Sequence, residues 1–298
     1  MKKSTSLIIS LAISSVVACS SYASDEDPDS SKGVIDRLSE KLLPAKGYIN
    51  KDKTKIDPAN ILSYVQNQRK AGKEVDIVKE FGKDFTAIDL DILYVNRISL
   101  RDQDFSGCNF EEANLGGLDL SNTKFTGANL TNCDLSDAIL NNSNFKKANL
   151  KGADLTMASF IDADLTEANL TETNMLSANL SGANLSDAAI VNANLRAVTA
   201  MQTNFSGAQL SQAIFVSSNL FKANFHNANL SDADFLRASV VDADFSNAKI
   251  NGTIFRRADV RGANFDGTKL EEAYFKRAKI NDSNSPNSLK ILREIVDH

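Results

Sequence analysis

Every fifth residue from Phe105 to Ile280 is apolar, and the register does not slip over 36 consecutive positions. These centres are 16 Leu, 13 Phe, 3 Ile, 2 Val, Met175 and Ala200. The residue two places before each centre is Ala in 24 of 36 cases, and most of the others are Ser, Thr or Cys. The residue just before the centre is Asn or Asp in 23 of 36 cases, so the unit reads Ala-(Asn/Asp)-(Leu/Phe)-x-x. If the small and the large position both point inward, their spacing alternates between two and three. A strand keeps one face with a step of two. The extra residue in each five predicts a corner, and the chain coils around a narrow axis. An α-helix does not fit, because steps of two and three scatter apolar residues around its whole circumference.

A longer period sets the number of sides. Eleven of the 13 central Phe residues fall on two series with a step of 20, one through Phe205 and Phe225 and the other through Phe215 and Phe235. The two series are offset by 10 residues. That spacing predicts four sides per coil, with Phe stacks on two opposing sides and mostly Leu, Ile and Val on the other two.

On these residues, the stretch from Asp102 to Ile280 resembles the pentapeptide-repeat proteins. The resemblance implies an all-β solenoid, a right-handed quadrilateral parallel β-helix of about nine regular coils. It also implies external ladders of Asn and Asp, and ends that need caps.

The flanks have a different pattern. Residues 1–23 read as an export signal: Lys2 and Lys3 precede an apolar run from Leu7 to Ala18 that is too short to span a bilayer. Two cleavage sites fit. Val16-Val17-Ala18-Cys19 resembles a bacterial lipobox with Cys19 as the lipidation candidate, although Val16 stands where Leu is usual. Ser21-Tyr22-Ala23 is an ordinary small-x-small site. Residues 24–33 form an acidic linker. Residues 34–84 are expected to be a small helical region, with Asp57-Pro58 opening a helix that runs to about Ala71 and a short helix from Glu74 to Phe81 ended by Gly82. This region either shields the end of the rod or is a separate binding module. The rod itself is expected over 85–280. Phe85, Leu90, Val95 and Leu100 keep the register of five, but Ile88, Leu93 and Ile98 replace Ala and predict a wider first coil. Residues 281–298 are expected to form a helix with the apolar stripe Leu289, Leu292, Ile295 and Val296, either capping the last coil or mediating dimerisation.

Composition adds little chemistry. The chain of 298 residues has a formal net charge of −5, two His and three Cys. His226 and His298 lack a nucleophile or carboxylate partner at a telling spacing, and no phosphate loop or metal signature occurs. No catalytic, metal or cofactor-binding residues are expected, and the reading is non-enzymatic. Cys108 and Cys133 occupy small inward positions and are expected to be buried thiols, with a disulfide as the alternative.

The outward residues are more informative. Residues 20 apart should stack, so Arg237, Arg257 and Arg277 form a column beside Arg256, Lys276 and Arg261. Ile214, Leu236, Ile254 and Tyr274 lie on the same side and Phe221 on the next. A basic strip beside outward apolar residues suggests a surface for a protein partner or an anionic surface. Charge is divided along the rod: residues 101–195 carry 5 basic and 13 acidic side chains, residues 196–280 carry 11 and 8. The expected function is that of an exported bacterial scaffold, in the periplasm, on the cell envelope through a lipid on Cys19, or secreted. Two alternatives stay open: a secreted effector acting in a host cell, and a DNA-mimicking gyrase-binding protein like some family members. The export signal and the basic second half depart from that last pattern, and no nucleic-acid binding is expected.

Overall fold

The computed structural model describes residues 56–281 and 286–296. The export signal, Cys19, the acidic linker and the first part of the helical region lie outside them. From Asp104 to Asp244, the residue before each centre pairs in parallel with the residue 20 further on, as in Asp104↔Lys124, Asn109↔Asn129, Asn114↔Asp134 and Asp119↔Ile139. Four such ladders make four sides. Each rung pairs through one isolated bridge rather than along an extended strand. The sequence pattern predicts strands, but two of every five residues are spent on the corner, and the side that remains is too short for a ladder of several bonds.

The unit Phe205 to Gln209 shows why the repeat has its composition. The amides of Phe205 and Gly207 donate to the carbonyls of Asn224 and His226 in the following coil, at 2.7 and 2.9 Å. The amide of Gln209 donates to Ala188 in the preceding coil at 2.9 Å, and that of Ala208 closes the corner on Phe205 at 3.1 Å. The remaining amide, on Ser206, donates to Oδ1 of Asn204 at 3.1 Å. All five donors are satisfied, and the last of them requires a side-chain acceptor immediately before the centre. That is the physical reason for Asn or Asp there. The second corner residue has a left-handed backbone in every described regular unit except at Glu272, with φ of +68° at Gly207 and +58° at Arg237. A positive φ only at the second central residue belongs to turns of type II character.

Inside, Ala and the large centres fill the axis and are almost wholly buried from Phe105 to Phe275. Phe225 stacks on Phe205 and Phe245 at 4.9 and 4.8 Å, and Phe235 stacks on Phe215 and Phe255 at 4.8 and 5.0 Å. Where Thr or Ser replaces the inward Ala, its hydroxyl finds a carbonyl: Thr173 donates to Leu170 and Thr203 to Leu180, each at 2.7 Å. Cys108 and Cys133 are buried free thiols.

Both ends depart from the repeat. The first coil is longer by one unit, since Asp84 pairs with Asn109 and Asp89 with Asn114, 25 residues away. The extra residues are helix α3 (Asp91–Val95), which bulges from the corner. Val95 therefore does not serve as a centre, contrary to its place in the register of five, and it is 75% exposed. Helix α1 (Pro58–Lys70) starts at Asp57, whose carboxylate accepts the Ala59 amide at 2.9 Å, and it buries Ile61 and Val65 in the same apolar core as the first coil. Helix α2 (Ile77–Phe81) is capped by Asp76 and ends at Gly82, with φ of +82°. Gln103 stands at the small inward position of the first regular unit. Its amide donates to Val75 at 2.9 Å and its carbonyl accepts from Ile77 at 3.3 Å, so it ties α2 to the rod. At the other end, Leu270–Glu272 tightens into a 3₁₀ turn. Helix α4 (Pro286–Ile295) follows, buries Leu292 in the core and places the Val296 carbonyl 3.0 Å from the Arg277 amide.

Candidate functional site

The partner-surface candidates are organised by one ladder of ten rungs: Asp89, Asn114, Asp134, Asp154, Asn174, Asn194, Ile214, Asp234, Ile254 and Tyr274, each paired with the next. The corner that follows this side carries Arg237, Arg256, Arg257, Lys276 and Arg277, all exposed. Among the described residues no carboxylate pairs with Arg237, Arg257 or Arg277, and all three hold φ between +57° and +61°. Arg at such a position costs backbone energy that Gly or Asn would not.

The apolar candidates fare differently. Tyr274 is 58% exposed, whereas Ile214, Leu236, Ile254 and Phe221 are half-buried. Rungs above and below at the spacing of stacked strands cover most of an outward side chain. Asp234 also interrupts the run between Ile214 and Ile254. Phe221 lies on the next side, with the Lys222 ammonium 5.1 Å above its ring. Arg261 is also engaged: its guanidinium grips Asp259 through two bonds, at 2.8 and 2.7 Å, and holds that carboxyl below the usual carboxylate range. The His226 ring makes one polar contact, 2.8 Å to the Ser246 hydroxyl.

Two residues of this face escaped sequence reasoning. Arg196 donates to Asn194 at 2.9 Å, and partial burial lowers its pKa against the pull of Asp234. Asp234 has a raised pKa because burial outweighs the Leu236 amide, Arg196 and Arg256. The same step of 20 aligns Arg196 with Arg256 and Lys276, and Asp234 with Ile214 and Ile254.

The same face is acidic at its other end. Asp89, Asp91, Asp134, Asp137 and Asp154 lie on the ladder or its bordering corner, with Asn114 donating to Asp89 and Asp91 at 3.0 and 3.1 Å. Partial burial, then Asp89, raises the Asp91 pKa; partial burial, then Asp134 and Asp154, raises that of Asp137. Between the two ends lie Met157, exposed, with half-buried Leu176 and Val216. Among the described residues no cluster of His, Cys, Asp and Glu is arranged to hold a metal, and no helix is long and apolar enough to cross a membrane. An internal void of about 10 Å³ near α1 is lined only by apolar side chains such as Ile61, Phe85 and Phe105.

A four-sided coil with this inward Ala and outward Asx pattern defines a class, and the comparisons agree. The family model for pentapeptide repeats matches residues 104–142, 143–177, 158–196 and 178–215, and that for a pentapeptide repeat region matches 197–285. These matches span more than half of the chain, which belongs to the pentapeptide repeat family. No curated protein matches it. Among solved structures, a trypsin-treated form of QnrB1, a plasmid-mediated fluoroquinolone resistance protein, is 17% identical over 65% of this chain and 95% of its own, with a TM-score of 0.50. That likeness supports the right-handed quadrilateral β-helix. HetL, involved in heterocyst differentiation regulation in the cyanobacterium Nostoc sp. strain PCC 7120, is 28% identical over 74% of this chain and 96% of its own, with a TM-score of 0.35. A pentapeptide repeat protein of the Arabidopsis thaliana thylakoid lumen is 41% identical over 33% of this chain and 65% of its own, with a TM-score of 0.24.

Proposed function

We propose that this chain is a non-enzymatic exported scaffold that presents one side of a rigid β-helix of about nine regular coils to a protein partner. The observation that carries the reading is the exposed column Arg237, Arg257 and Arg277 without paired carboxylates among the described residues, bordering Ile214, Ile254 and Tyr274 on one ladder and Leu236 on its corner. Uncompensated charge on strained corner residues is costly to keep for stability alone. The helical segments at either end act as caps that keep the rod from growing end to end. Lys2, Lys3 and the apolar run to Ala18 support export, and Cys19 supports a lipid anchor in the envelope.

Two experiments test this. Fractionation of the native cells with intact mass of the mature N-terminus should give a lipidated Cys19 in the membrane fraction or a chain starting near Ser24 in the soluble exported fraction. An uncleaved Met1 in the cytoplasm would overturn export. Crosslinking in those cells should capture a protein whose yield falls when Arg257→Glu is combined with Phe221→Asp. Unchanged capture would remove this face from consideration.

A further inference from the structure

The ladder from Asp89 to Tyr274 is the only one of the features above that is charged oppositely at its two ends and apolar between them. Its first rungs and their corner hold Asp89, Asp91, Asp134, Asp137 and Asp154, against the single basic residue Arg97 up to Asn174. Its later rungs and corner hold Arg196, Arg237, Arg256, Arg257, Lys276 and Arg277, against the single acid Asp234. Met157, Leu176, Ile214 and Val216 occupy the middle. Such a face is complementary to itself in one orientation. Two copies laid side by side with their rods antiparallel bring each acidic end onto the other's basic end, and the apolar middles meet at the two-fold axis. This is an isologous contact, closed at two copies. A parallel arrangement would leave acidic end beside acidic end and basic end beside basic end.

We propose that a second copy of this chain docks on this face, antiparallel, as a reversible dimer. The proposal rests on the scaffold reading above and assigns one occupant to the same face. Asymmetric charge of this kind selects orientation and speeds encounter more than it adds affinity. Size points the same way. Ten rungs at about 4.8 Å give a contact about 43 Å long, and a side of three residues is about 10 Å wide. The resulting ~430 Å² per partner, before side-chain relief, is well below the roughly 800 Å² of a standard interface, so the dimer is weak. The corner on the other edge of this side, with Asp232, Glu271 and Glu272, borders the contact and limits its width.

The test uses the chain as its native cells process it, in sedimentation equilibrium up to about millimolar concentration, with small-angle scattering. One variant reverses the acidic end (Asp91→Arg with Asp137→Arg) and one the basic end (Arg237→Asp with Arg257→Asp). All four are exposed, so circular dichroism should be unchanged. The wild type should dimerise with almost no increase in maximum dimension. Each variant alone should self-associate at least about tenfold more weakly. An equimolar mixture of the two should recover the dimer, because the reversed end of each then meets the reversed end of the other while the two unreversed ends still pair. A wild type that stays monomeric overturns the proposal while leaving a different protein partner to the crosslinking test. So does a dimer of doubled length, or one that the reversals do not weaken.

Discussion

Phe225 and Phe235 meet edge to face across the rod axis, 5.7 Å between ring centroids and 87° between planes. Each also stacks on rings of its own series 20 residues away, so the second half of the rod is one continuous aromatic core. Removing a ring leaves a hole that neighbours cannot fill, because the backbone bonds fix the spacing of coils. Phe235→Ala should cost about 3–5 kcal/mol, as buried Phe truncations do. Phe235→Leu should cost much less, since Leu fills the same series at Leu155 and Leu195. Urea unfolding of both variants checks the difference. Equal losses would mean that apolar volume without the ring recovers nothing, so that the ring contacts themselves carry the stability.

Asn204 serves three partners at once. Its carbonyl accepts the Ser206 amide at 3.1 Å and the Asn224 side chain at 3.1 Å, and its amide donates to Asn184 at 2.9 Å. Asn204→Ala strands a corner amide and breaks the ladder, and should lower stability by about 1–3 kcal/mol. Asn204→Asp keeps both acceptor roles but turns an acceptor toward Asn184, so it should fall between wild type and Ala. Denaturant midpoints of the three proteins test that order.

These two sites were legible in the sequence because their reasons repeat. The Phe series follows from a step of 20, and the Asx position recurs in most units. The first coil was not legible. An insertion of five residues leaves a register of five intact, so Val95 looks like a centre until its ladder partner is known. The same slip of five hid the acidic end of the candidate face: with a constant step of 20, Asp89 does not fall on the series of Asn114 and Asp134, yet they share a ladder. The Arg237, Arg257 and Arg277 column was legible because residues 20 apart stack. The half-burial of Ile214 and Ile254 was not, since it depends on what lies on the rungs above and below.

Gln103 should matter locally rather than globally. Its two bonds go to Val75 and Ile77 in the cap, while the units beyond it are held by their own ladders. Gln103→Ala supplies the residue that most other units use, yet it strands two backbone groups at the end of the rod. Hydrogen exchange should speed up by about tenfold or more across residues 75–81, in line with a hydrogen-bond loss of about 1–2 kcal/mol. Exchange across residues 205–265 should not change. Uniform acceleration along the rod would show that the cap and coils unfold as one unit.

Burial pushes the Cys108 thiol up to about 11 and raises Cys133 as well. An unfolded chain ionises its thiols near 8.5, whereas the native chain holds these protons until the pH is higher. The native state therefore binds more protons than the unfolded state between those values, and stability must fall as pH rises through that window. Below about pH 8 both states are protonated and the thiols contribute no pH dependence. Combining Cys108→Ala with Cys133→Ala, which installs the residue usual at this position, should flatten the decline between pH 8.5 and about 10.5 relative to wild type. Lysine titration affects both proteins alike and cancels in the comparison. Parallel stability curves for the two proteins would mean that the thiols ionise in the folded rod as readily as in the unfolded chain.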